Sequence, residues 1–196
     1  MFLRTILFST LILLCSGAAL AQRPGPQFWR KATCEPLEPR TKLEVLDERY
    51  NAVIVKGFSR ITTVDVRGVR IDAVEMRDLG SAVSRAKGIV VVLREGGEHP
   101  SDNRAYVDYD EIDQLLNAID TVSRADETMT KLAGFEAKYK TLGDLEIDVF
   151  RQTRSGTAVV LTTGICDRAT QTLTLDDLAK VKALIQEAKL RLDDIR

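Results

Sequence analysis

The chain has 196 residues, of which 44% are hydrophobic, 29% charged and 6% aromatic, with a formal net charge of −1. Those proportions belong to an ordinary globular protein; they exclude a disordered tail, a collagen-like repeat, a multi-span membrane protein and a cysteine-dense scaffold. With 28 basic against 29 acidic residues the chain carries no basic footprint for nucleic acid.

Residues 1–21, MFLRTILFSTLILLCSGAALA, combine a basic start at Arg4, an apolar run from Thr5 to Cys15 and an Ala19-Leu20-Ala21 cleavage site. This layout predicts a Sec-type signal peptide cut before Gln22, and hence a periplasmic or secreted bacterial protein. The apolar run is shorter than the ~20 residues of a membrane anchor. Leu14 stands where a lipid-anchor site wants a small residue before Cys15. Cleavage leaves 175 residues (196 less 21) and removes one basic group, for a net charge of −2. That length suits a single domain with its own core and no stable membrane span.

Residues 22–40 hold Pro24, Pro26, Pro36 and Pro39 and read as an irregular N-terminal arm, since proline lacks a backbone donor and forces its predecessor extended. Phe28 and Trp29, the latter the chain's single tryptophan, lie in this arm. Burying such rings is favourable, so packing on the body is expected; an aromatic anchor for a partner is the alternative.

From residue 41 to the end the pattern is that of one α+β domain. Residues 43–58 read as two extended pieces separated near Asn51. In VRIDAVEMR (69–77), Val69, Ile71 and Ala73 alternate with Arg70 and Asp72, and the phase changes at Ala73-Val74, which predicts a bulge. GIVVVLRE (88–95) is an unbroken apolar run, expected as a central strand covered on both faces. GGEHPSDN (96–103) reads as a turn-rich loop. From Val107 a helix is expected, with Ile112, Leu115, Leu116, Ile119 and Val122 on one face. Asp108 and Glu111 resemble a capping pair.

The second half offers strands at 134–140, 144–151, 157–163 and 170–175, then a helix from Asp176 with Leu178, Val181, Leu184, Ile185 and Ala188 on one face. Asp176–Lys180 and Glu187–Arg191 are acid-first pairs one turn apart. Strands followed by a helix therefore occur twice, and residues 41–50 (TKLEVLDERY) align without gaps to 130–139 (TKLAGFEAKY). A duplication is expected, with units 41–128 and 129–196.

AYVDYDEIDQLL (105–116) and LTLDDLAKVKALI (173–185) resemble a family of uncharacterised exported bacterial proteins of unknown function. That resemblance implies no activity, cofactor or catalytic residue. The doubled order of four strands plus a helix is similar in outline to Whirly, PC4 and Pur-type modules, which hold single-stranded nucleic acid on the sheet face opposite the helix. Export and the net charge argue against nucleic acid as a partner here.

His99, the single histidine, lies before Pro100 in a loop with no identifiable nucleophile beside it, and reads as solvated. One histidine and two distant mature cysteines do not supply zinc ligands. The acidic run Asp108, Asp110, Glu111, Asp113 lacks the glycine and glutamate positions of a calcium loop, and a helix N-terminus explains it. No phosphate-binding loop or nucleophile elbow occurs. Glu146 and Asp148 share the polar face of a strand and could serve acid–base work, although an exposed sheet face gives the same alternation.

These readings predict two tandem units of about four antiparallel strands plus a helix, both helices on one face of the sheet layer. The opposite, mixed-charge face would carry Asp72, Glu75, Glu146 and Asp148. The function expected is that of an exported, non-catalytic envelope or secreted protein, without a cofactor or metal, that binds a protein partner or small ligand. Phe28, Trp29 and the four carboxylates are the candidate binding residues. A carboxylate-based hydrolase acting on envelope material is the alternative. Cys34 and Cys166, the two cysteines left after cleavage, are expected to pair in an oxidising compartment.

Overall fold

Alternating apolar residues build two four-stranded antiparallel sheets, each with its strands in chain order. A computed structural model describes residues 38–80, 84–94, 102–132, 134–152, 156–164 and 168–195, apart from the side chains of Asp65, Asp102, Glu127 and Gln152. The signal segment, Phe28, Trp29, Cys34, His99 and Cys166 lie outside the described residues. After a short helix, α1 (Lys42–Asp47), sheet 1 comprises β1 (Ile54–Val66), β2 (Val69–Asp78), β3 (Arg85–Arg94) and β4 (Asp102–Asp108), and α2 (Ile112–Ser123) follows. Sheet 2 comprises β5 (Glu136–Lys140), β6 (Glu146–Gln152), β7 (Gly156–Thr163) and β8 (Ala169–Leu173), followed by α3 (Leu175–Asp193). The fold is α+β, and four strands then a helix do occur twice.

The helices are exchanged between the units. The C-terminal helix α3 packs chiefly on β1, β2 and β3 of sheet 1, whereas α2 packs on β5 and β6 of sheet 2. Lys87 of β3 caps the end of α3, its Nζ donating to the Leu192 carbonyl at 2.7 Å while standing 4.3 Å from the Tyr109 ring. Lys182–Asp120 (2.6 Å) and Lys189–Asp113 (2.8 Å) tie the helices together. Ile71, Ile89 and Val91 of sheet 1 thus share one core with Ile147, Val159 and Leu161 of sheet 2 and with Leu115, Ile119, Leu178 and Ile185 of the helices. The sheets also touch at an edge, where Tyr106 bridges Gly143. Among the described residues no helix is long and apolar enough to cross a membrane.

Several expectations are corrected. Residues 43–50 are not extended: Thr41 and Glu44 form a capping box, and α1 lays Leu43 and Leu46 over Val74, Met76, Ala86, Val90 and Val92 on the outer face of sheet 1. This cover explains the phase change in β2, which is not a bulge. Ile71↔Ile61 through Glu75↔Gly57 pair in unbroken register; Val74 and Met76 are apolar because their face is buried too. The irregularity lies in β1, between Ile61 and Val66. The loop expected over 96–103 gives way to β4 at Asp102, and the strand runs to Asp108, so the regular helix starts at Ile112 rather than Val107. The matched 41–50 and 130–139 segments are not structural equivalents, one being capped helix and the other a turn leading into edge strand β5. The expected faces of α2 and α3 are buried, Leu116 only partly. In α3, Arg191 Nη2 meets Glu187 at 3.4 Å, and Lys180 bonds Asp177 at 2.8 Å.

Candidate functional site

Asp108 does not pair with Glu111. Its carboxylate receives the backbone N–H groups of Lys42 (2.7 Å) and Leu43 (3.2 Å), and so caps α1 from 65 residues away. Glu111 reaches the other way, accepting the Leu142 N–H at 3.0 Å with one oxygen while the other is buried without a partner. Burial, with the nearby charges of Asp108, Asp110 and Glu44, holds the Glu111 carboxyl above the usual carboxylate range. These groups line an open cleft of about 690 Å³ with Arg40, Lys42, Tyr139, Lys140 and Leu142. Its charges are largely spent internally: Arg40 and Lys140 pair with Asp144, and Lys42 holds Asp110 at 2.7 Å. The cleft is the joint where α1, α2 and sheet 2 meet.

The outer face of sheet 1 beside α1 is organised differently. Alternation along β1 presents Lys56, Phe58 and Arg60 on this face, and β2 adds Arg70 and Asp72. Arg104 comes from β4, and Val74, Val90 and Val92, themselves buried and packed with Leu43 and Leu46 of α1, underlie a groove of about 300 Å³. A neighbouring hollow of about 230 Å³ shares Arg60, Arg70 and Val92 and adds Arg94. Asp72 is divided between Arg60 (3.5 Å) and Arg70 (3.2 Å). At the α1 end, Lys56 stands 3.5 Å from Asp47 and 5.5 Å from the centre of the Tyr106 ring. The Tyr106 hydroxyl donates to Asp47, and burial, with that carboxylate, pushes it up to about 12. The Phe58 ring is 68% exposed beside this apolar floor.

The four candidate carboxylates do not share one face. With β2 unbroken, Asp72 and Glu75 are three residues apart and point to opposite sides. Glu75 lies towards the end of α3, its Oε1 2.6 Å from both Arg77 and Arg85. Burial raises its pKa, but the two guanidiniums outweigh that and hold it below the usual range. Glu146 and Asp148 do share the outer face of sheet 2, yet each is only 9% exposed. Lys138 Nζ lies 3.1 Å from Glu146 and 3.2 Å from Asp148, and Arg168 is 3.1 Å from Glu146. For Glu146, burial is outweighed by Lys138 and Arg168, which lower it; Asp148 is raised by burial and by the Glu146 charge.

Sequence reading named Asp72 but missed Lys56, Phe58, Arg60 and Arg104. The period-two spacing of the first three was the available signal; Arg104 fell outside any expected strand. No protein-family model and no curated protein matches this chain.

Proposed function

We propose that the protein is an exported, non-catalytic binding protein that takes a small ligand on the outer face of sheet 1. The groove over Val74, Val90 and Val92 carries this reading, because it combines an apolar floor, an exposed ring and several fixed charges in one concavity. Such groups orient and hold a ligand without moving protons near neutral pH. Tyr106, up at about 12, keeps its proton. The signal-peptide layout supports a periplasmic or secreted setting. Native mass spectrometry of protein isolated from its own compartment tests the reading. A non-covalent small-molecule adduct lost in Phe58→Ser is expected; an unliganded protein, or an adduct indifferent to that change, overturns it.

One observation favours a second reading, the carboxylate-based hydrolase. Glu146 and Asp148 are pushed in opposite directions, an arrangement that suits a base and an acid at one site. Release of reducing ends from envelope polysaccharide, abolished by Asp148→Asn, would support it. Their shared partner Lys138 makes a structural ion-pair network the simpler account.

A further inference from the structure

We propose that two copies of this chain pair edge to edge through β1, in one antiparallel register centred on Gly57, so that sheet 1 continues from one copy into the other. At thirteen residues β1 is the longest described strand, and it ends the order of its sheet with only β2 beside it. The bond from the Leu79 N–H to the Val53 carbonyl (3.0 Å) fixes which way its backbone points. These two residues lie one step beyond the Ile54↔Asp78 pair, so Val55, Gly57, Ser59 and Ile61 bond to β2 in the same way. The N–H and C=O groups of Ile54, Lys56, Phe58 and Arg60 therefore point away from β2. Among the described residues no strand or loop meets them. Val53, Val55, Gly57 and Phe58 are all exposed along this edge. An open edge of this length, partly apolar and free of proline, is a template for another strand.

The residues along the edge select both the occupant and the register. Two identical strands related by a two-fold axis pair antiparallel, each outward residue facing another outward residue. Centring on Lys56 or on Arg60 sets that cation against itself, and centring on Phe58 sets Lys56 against Arg60 on both sides of the axis. Like charges directly opposed are destabilising, and Asp47 and Asp72 already serve these two cations at 3.5 Å. Centring on Val55 or on Ser59 carries the ladder past Ile54 or past Ile61, where the regular pairing of β1 stops. Gly57 is the remaining centre. There Lys56 faces Phe58 and Ile54 faces Arg60, each pair occurring twice, and every outward N–H and C=O from Ile54 to Arg60 gains a partner. Lys56 brings an ammonium to an exposed ring. At the axis, where Cα atoms approach to ~4.5 Å, Gly57 has no side chain to hold the copies apart. The two cations thus guard the edge against the wrong registers and leave one open. An unrelated extended peptide would need no such self-match, so a second copy is the occupant.

Sedimentation and light scattering of the chain lacking residues 1–21, with reductant present so that no cysteine link contributes, test this. A dimer that dissociates on dilution is expected. Phe58→Lys sets a lysine against Lys56 on both sides of the axis, and two such like-charge pairs should weaken the dimer by about tenfold. Adding Lys56→Glu to Phe58→Lys puts opposite charges in the same two pairs and should restore dimerisation, which a general disturbance of the strand would not do. A dimer indifferent to Phe58→Lys, or weakened by it and not restored by the second change, overturns the proposal. A chain that stays monomeric at every concentration also overturns it and leaves the edge to an extended peptide of another protein. Neither residue hydrogen-bonds to β2 through its backbone, so the ladder within sheet 1 survives both changes, and circular dichroism checks that the variants fold. The dimer is measured without ligand, so its failure leaves the sheet 1 groove standing as a ligand site.

Discussion

Glu111 shows how a single carboxyl ties distant segments together and makes stability depend on pH. Its bond to Leu142 joins the start of α2 to the turn before β6, while its second oxygen is buried without a partner. The native state holds this proton more tightly than the unfolded chain does, because burial and the charges of Asp108, Asp110 and Glu44 raise the pKa. The group's contribution is therefore most favourable at low pH and declines as pH rises from the ordinary carboxylate value through the raised native one. Glu111→Gln keeps an acceptor for Leu142 but cannot ionise. Urea unfolding across pH 4 to 8 should show the variant gaining on the wild type as pH rises; parallel curves would remove Glu111 as a source of this slope. The acidic residues were visible in the sequence, but their partners were not. Asp108 and Glu111 looked like a local cap, and the cap Asp108 actually supplies is to α1.

At the level of elements, close approach accounts for glycines that periodicity leaves unexplained. A Cβ on Gly88 would lie 2.2 Å from the Val107 carbonyl oxygen and 2.9 Å from Leu43 Cδ1. Gly88 thus lets β4 and α1 close on β3 together. Gly88→Ala is expected to cost about 3 kcal/mol, at the upper end for forcing extra volume into a packed site, with the loss concentrated at α1. Hydrogen exchange should show the α1 amides losing protection more than those of α3; a uniform loss, or none, would contradict this. The start of α1 carried a local signal, although the segment was read as extended. Thr41-x-x-Glu44 is a capping-box signature, as is Thr174-x-x-Asp177, whose helix was recognised from its longer apolar stripe. At six residues α1 shows too little periodicity to identify by pattern.

On the scale of the whole molecule, exchange of helices makes the two units interdependent. With α3 seated chiefly on β1 to β3, and α2 on β5 and β6, the long helix of each unit packs mainly on the sheet of the other. A chain ending before Leu175 should therefore lose sheet 1 as well as sheet 2, giving no cooperative unfolding transition by circular dichroism; an intact first unit in that fragment would refute the interdependence. The cysteine pairing belongs to this scale too. Arg40, six residues after Cys34, pairs with Asp144, and Arg168, two residues after Cys166, pairs with Glu146. Both anchors meet the start of β6, within reach of six extended residues at ~3.4 Å each. Thiol titration of the denatured, unreduced chain lacking residues 1–21 should find no free thiol. Two per chain would exclude the bridge, which would otherwise close a loop valued at ~4–5 kcal/mol in the chain-entropy model.

What the sequence determined by itself was local and periodic: the alternation in β2 and β5 to β8, the unbroken run of β3, and the apolar faces of α2 and α3. Each rests on burial repeating every second residue or every turn, which any window of the chain displays. The doubling of strands and helix followed from the same signals. Only the tertiary structure decided which helix covers which sheet, that β2 is buried on both faces, that Asp72 and Glu75 face opposite ways, and that Arg104 joins Lys56, Phe58 and Arg60 around one groove. Those depend on register and on contacts between residues far apart in the chain. A single change of register reverses the face of every side chain in a strand, and no local window contains the partner that sets it.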